Sequence, residues 1–79
     1  MTRESTILAE LVRNGQWQLY HERRAKFYMR VATMWRDTAL ALAESDPLFA
    51  QFAVARGNEN MDWSEEELQL AQQQEASRQ

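Results

Sequence analysis

From Gln16 to Asp46 the chain contains neither glycine nor proline, and Ala, Leu, Met and Arg recur throughout the run. A stretch this long without a breaker, built from residues that lose little freedom in a helix, predicts one continuous helix over about 16–44. At about 100° per residue, Trp17, Tyr20, Phe27, Tyr28, Val31, Met34, Trp35, Thr38 and Leu42 fall on one side of it. The spacing 17, 21, 24, 28, 31, 35, 38, 42 alternates four and three, as a coiled-coil-like seam does. Glu22, Lys26, Arg30, Thr33, Arg36 and Asp37 lie off that side, while Leu19, Met29 and Leu40 suggest a second contact. The rival reading makes Gln16–Tyr20 and Lys26–Val31 a strand hairpin, but Arg23, Arg24, Ala25 and Lys26 are poor turn residues.

Punctuation bounds the other elements. Asn14-Gly15 is a turn or C-cap signal, and it ends a first helix over about 4–13. Carried through Gly15, the wheel places Leu8, Leu11 and Val12 away from the main apolar side. The chain is therefore expected to bend there and fold the first helix back on the second. Asp46 as N-cap and Pro47 at the first helical position start a third helix over about 47–56, closed by Gly57 as C-terminal cap. Ser64 and Glu67 form a capping box, and Trp63 and Leu68 a hydrophobic staple, opening a fourth helix over about 65–74. Residues 75–79 have little to bury and are expected to fray. The expected fold is all-α: a small helical hairpin or bundle with one long central helix, a single domain over 1–79.

A size mismatch then points to association. The central helix would extend roughly 43 Å, its neighbours roughly 15 Å each. They cannot cover a face carrying two Trp, two Tyr and a Phe, and exposed apolar strips of that size mark interfaces. A chain of 79 residues with no cysteine also lacks disulfides and thiolate metal ligands, which leaves self-association as its remaining support. The expected protein interface is Trp17, Tyr20, Arg24, Phe27, Tyr28, Val31, Met34, Trp35 and Leu42, meeting either a second, antiparallel copy of the central helix or another protein. Arg24 interrupts the apolar side. Either its stem lies on the rings while its head reaches water, or it pairs with a carboxylate across the interface.

Enzyme chemistry is not expected. Two isolated glycines make no phosphate loop, and Ser5, Ser45 and Ser64 sit at predicted helix ends, where serine caps. His21 lacks ligand partners at helical spacing and reads as a half-exposed interface residue. Glu65, Glu66 and Glu67 point in different directions on a helix and compensate its dipole rather than share a cation. No cofactor or metal is expected. No stretch has the roughly 20 apolar residues a membrane helix needs, and the apolar part of the N-terminal run is too short for a signal peptide. The expectation is a cytoplasmic protein with no membrane partner.

Charge is uneven: residues 1–43 carry a net +3 and residues 44–79 a net −6. These halves are suited to attract each other, within or between molecules. The leading functional expectation is a non-enzymatic helical homodimer acting as a regulator, inhibitor or accessory factor of a larger protein. A nucleic-acid-binding regulator using Arg13, Arg23, Lys26, Arg30 and Arg36 is the alternative, disfavoured because rings and cations interleaved in sequence separate in space. A structural subunit of a larger assembly is the third.

Overall fold

The computed structural model describes residues 3–77, and among them it contains three helices and no strand. They are α1 (Arg3–Arg13), α2 (Trp17–Leu42) and α3 (Pro47–Ser77). The strand hairpin at residues 16–31 is excluded, since Trp17 onward is helical. α2 lies between the other two and packs chiefly against α3.

Two of the turns follow their sequence signals. Gly15 takes φ +69°, Gln16 N–H donates to the Leu11 carbonyl, and Gly15 N–H donates to that of Val12. This is a Schellman ending, which satisfies carbonyls that the last turn of α1 would otherwise leave open. It reverses the chain, so α1 runs back along α2, where Arg23 Nε donates to Glu4 Oε1 at 3.4 Å. At the start of α3, Asp46 Oδ1 accepts from Phe49 N–H, with Pro47 in the first helical position where its missing N–H costs nothing.

The pattern of breakers misleads after Arg56. One helix continues through Gly57 to Ser77, so the expected C-cap at Gly57 and the fresh start at Ser64 do not exist. Residues 75–77, expected to fray, belong to α3, and 78–79 lie outside the described residues. α3, not α2, is the longest element. The physical reason lies in the residues that face α2. Ala50, Ala53, Gly57, Asn60, Ser64, Glu67 and Ala71 are all buried, and their spacing alternates three and four without a break. On α2 the buried set is Ala25, Ala32 and Ala39, one per heptad. A seam of small and polar residues has helical period but no hydrophobic contrast, so the apolar pattern cannot display it.

The seam is antiparallel and its register is explicit. The Ser64 hydroxyl donates to the Ala25 carbonyl at 2.8 Å. One heptad along, a Cβ at Gly57 would stand 3.4 Å from the Ala32 carbonyl oxygen and 3.5 Å from Trp35 Cβ. One heptad further, Ala39 and Ala50 are both buried and line the same cleft. Glycine in mid-helix costs about 1 kcal/mol relative to alanine in a free helix; at position 57 an added Cβ would rest in ordinary contact with α2, so packing tolerates glycine here without demanding it. The expected seam is thus corrected by one position: 28, 35 and 42 stay at its margin, but Ala25, Ala32 and Ala39 replace 24, 31 and 38.

Close packing through small side chains leaves the large ones outside. Among the described residues α1 and α3 both pack on α2 and not on each other, so the three helices lie side by side in one layer, and the Cα atoms span 50 × 28 × 12 Å. Leucine at Ala53, which is fully buried, or at Ala32 should force the helices apart and cost about 1–3 kcal/mol. Thermal unfolding should show this as a fall of about 4–8 °C per kcal/mol, while exposed Leu40→Ala stays within about 0.5 kcal/mol of the parent. Equal tolerance of all three changes would contradict a close-packed seam.

Candidate protein-interaction surface

The layer has two broad sides. On one, rings from α2 and α3 form a nearly continuous track. Trp17 meets Tyr20 edge-on with centroids 5.7 Å apart, Phe27 adjoins Tyr28 at 5.9 Å, Tyr28 meets Trp63 at 5.6 Å, Trp35 meets Phe52 at 5.8 Å, and Phe52 continues to Phe49 at 5.7 Å. Edge-to-face and tilted pairs of this kind contribute about 0.5–1.5 kcal/mol each beyond simple burial. Two guanidinium groups lie over the track: Arg24 stands 5.4 Å from the Tyr20 ring centre and 5.6 Å from that of Tyr28, and Arg56 stands 5.8 Å from Phe52. Phe27, Phe49, Phe52 and Trp63 stay substantially exposed, while Met34, 67% exposed, lies off the track on the outer edge of α2. The other side carries Arg36, Leu40, Val54 and Met61 around shallow clefts, with no ring–ring pair among the described residues.

Nine residues were expected to form the interface. Tyr20, Arg24, Tyr28, Val31, Trp35 and Leu42 are half-buried; Trp17, Phe27 and Met34 are exposed. Sequence reasoning missed the half of the track that α3 supplies: Phe49, Phe52, Arg56 and Trp63. These four recur at helical spacing, a signal hidden once Gly57 was taken as a stop.

Arg24 pairs with a carboxylate, but within the chain. Its guanidinium donates to the Tyr20 and Tyr28 hydroxyls at 3.0 and 2.7 Å and lies 3.3 Å from Glu67 Oε1. The second carboxylate oxygen of Glu67 accepts from His21 Nδ1–H at 2.5 Å. Burial disfavours the Arg24 charge, but the Tyr28 hydroxyl and the Glu67 charge outweigh it and hold the group above its ordinary value. Glu67 itself is buried, and both its oxygens are occupied. It therefore serves as a crosslink between α2 and α3 instead of a cap at a helix start. Here the basic and acidic parts of the sequence do meet, inside one molecule. Trp63, expected to staple a helix start with Leu68, instead packs on Tyr28.

Of the five cations considered for nucleic acid, three share one edge and two lie elsewhere. Arg13 ends α1, and Arg36 points to the side away from the ring track, its guanidinium 4.0 Å from Met61 Sδ. Arg23, Lys26 and Arg30 line the outer edge of α2, where Arg23 is already paired with Glu4. Among the described residues no group of three His, Cys, Asp or Glu is placed to hold a metal ion, and no helix is long and apolar enough to cross a membrane.

Removing the carboxylate in Glu67→Ala should cost about 1–3 kcal/mol, because His21 and Arg24 lose their shared acceptor. Ser64→Ala should cost about 1 kcal/mol through the Ala25 carbonyl bond. A double-mutant cycle on Arg24 and Glu67, read by denaturant unfolding at fixed protein concentration, should return a coupling above about 0.5 kcal/mol. Strict additivity would mean that the crosslink carries no energy.

Comparison with family models, with curated proteins and with solved structures finds no match to this chain.

Proposed function

We propose that this chain is a non-enzymatic helical interaction protein that works as a homodimer, two layers meeting through their ring tracks, and that in this form it modulates a larger protein as a regulator, inhibitor or accessory factor. The observation that carries the reading is the single layer of helices, whose Cα atoms span only 12 Å in the thinnest direction. Stable domains bury an apolar face between two layers, and a single helical layer has no second layer to offer its own rings. A copy of the same chain supplies one with matching shape.

The character of the exposed residues supports the same reading. Trp, Tyr and Arg dominate the energetics of protein interfaces, and the track combines Trp35, Trp63, Tyr20, Tyr28, Arg24 and Arg56. Their mutual contacts hold many of them in place before a partner arrives, which lowers the ordering cost of binding. Arg24 and Arg56, paired with Glu67 and Glu59, lie on the same side as Glu66, which lines a cleft with Tyr28 and Trp63, so the track offers both signs of charge to an isologous partner. Only Arg23, Lys26 and Arg30 share one edge of α2, and Arg23 is already bound to Glu4; so short a row argues against phosphate as the main partner, since backbone recognition needs many cations along one groove. A place as a structural subunit of a larger assembly would use the same track and would show itself as insolubility of the isolated chain.

Sedimentation over a wide concentration range should give a species of twice 9.3 kDa. Phe52→Glu places a charge on the half-exposed track and should weaken pairing by at least about thirtyfold, the effect of losing an anchor worth about 2 kcal/mol. Its helical circular dichroism should persist. A folded monomer at every concentration would overturn the proposal.

A further inference from the structure

Beyond the ring track, the outer edge of α2 carries a second surface. α1 covers only the first part of that edge, and beside Glu4, in the first turn of α1, a hollow of about 740 Å³ opens toward Met34. Met29 and Met34 give it an apolar lining, Arg23, Lys26 and Arg30 bring three cations, and Thr33 adds a hydroxyl. Lys26 and Arg30 form no ion pair among the described residues, whereas Arg23 is bound to Glu4. The three cations are spaced three and four apart, so they stand in a row along one ridge of the helix.

We propose that this hollow docks an acidic amphipathic helix of a partner protein, laid along α2 in continuation of α1. The molecule already contains one example of the required chemistry. α1 sits on the same edge with Ile7, Leu8 and Leu11 half-buried and its carboxylate Glu4 on Arg23. The hollow prolongs that interface with the same ingredients: Met29 and Met34, with Lys26 and Arg30 between them around the helix. A helix that follows α1 would set apolar residues against Met29 and Met34 and carboxylates, one turn apart, against Lys26 and Arg30. Methionine suits such a groove, because its unbranched side chain adapts to differently shaped partners. Helix-in-groove recognition of this kind is read from anchors three and four residues apart. The site lies apart from the ring track, so it does not rest on pairing of the two copies.

The probe is a synthetic amphipathic helical peptide of about 18 residues, long enough to hold a helix, with leucines on one stripe and glutamates flanking it; its control has lysine at every glutamate. Fluorescence anisotropy should show saturable binding of the glutamate peptide to the full chain and at least tenfold weaker binding of the lysine peptide. K26E with R30E should weaken the glutamate peptide tenfold or more, and added salt should weaken it as well. Phe52→Glu, which disrupts the ring track, should leave the peptide's affinity unchanged. Shifts of methyl resonances on binding should centre on Met29 and Met34. Equal binding of the two peptides, or no saturable binding, would overturn the proposal. Loss of the peptide in Phe52→Glu would place it on the ring track and would overturn the proposal equally. If a short DNA or RNA oligonucleotide binds more tightly than the peptide and K26E with R30E abolishes it, the edge reads phosphate and the helix proposal fails.

Discussion

The close approach of α2 and α3 through alanine, glycine and serine governs everything else in this molecule. Ala25, Ala32 and Ala39 face a strip of small and polar residues that includes Ser64, Gly57 and Ala50. Small side chains let two backbones come near enough for a serine hydroxyl on one to reach a main-chain carbonyl on the other. They also leave no room for bulk. Tryptophan, phenylalanine and methionine therefore cannot enter the seam and take the flanks, where the molecule is one helix thick. An ordinary helical hairpin hides its large residues between its helices; this one sets them on a broad side.

Such a seam is weak in one respect. Alanine against alanine buries little, and apolar contrast does little to select a register. The polar contacts supply that selection. Glu67 reaches His21 and Arg24 at one end, and Ser64 binds Ala25 beside it. Sliding α3 by one residue would move Glu67 away from both partners and leave a buried carboxylate without donors, a costly arrangement. The same group organises the surface, since it fixes Arg24 between Tyr20 and Tyr28. Register and ring track thus share one carboxylate, which ties the inside of the hairpin to its binding side.

How much of this was visible in the sequence follows from the same physics. Breakers and caps act locally, so Gly15, Asp46 and Pro47 marked real boundaries. The apolar residues of α2 showed their common side, and six of the nine named for an interface do sit at half-burial beside the seam. The chain does leave apolar surface of its own uncovered, but for a different reason: α3 is long enough, about 46 Å by its residue count, yet it comes in edge to edge. What stayed hidden is whatever a hydrophobic pattern cannot carry. Gly57 looks like a stop unless a backbone approaches it. Ser64 and Glu67 have the spacing of a capping box, and the same spacing places two polar residues on one helix stripe facing α2. Trp63 gave no sign of its partner because Tyr28 is far away in sequence. Local grammar and tertiary contact used the same letters here, and only the fold separates them.

If two copies meet as proposed, the ring-bearing side of the layer is covered and its opposite is not. The chain has no cysteine, so a single introduced thiol reports on one place. Arg56 lies over the Phe52 ring, while Asn58, two residues on, lines the cleft on the opposite side with Val54 and Met61. The rate at which a thiol reagent labels Arg56→Cys and Asn58→Cys, followed as protein concentration rises, measures coverage of each side directly. Pairing through the ring tracks predicts that the thiol at position 56 becomes protected with concentration while the one at position 58 stays open. Protection at position 58 alone, or equal reactivity of both at every concentration, would contradict it.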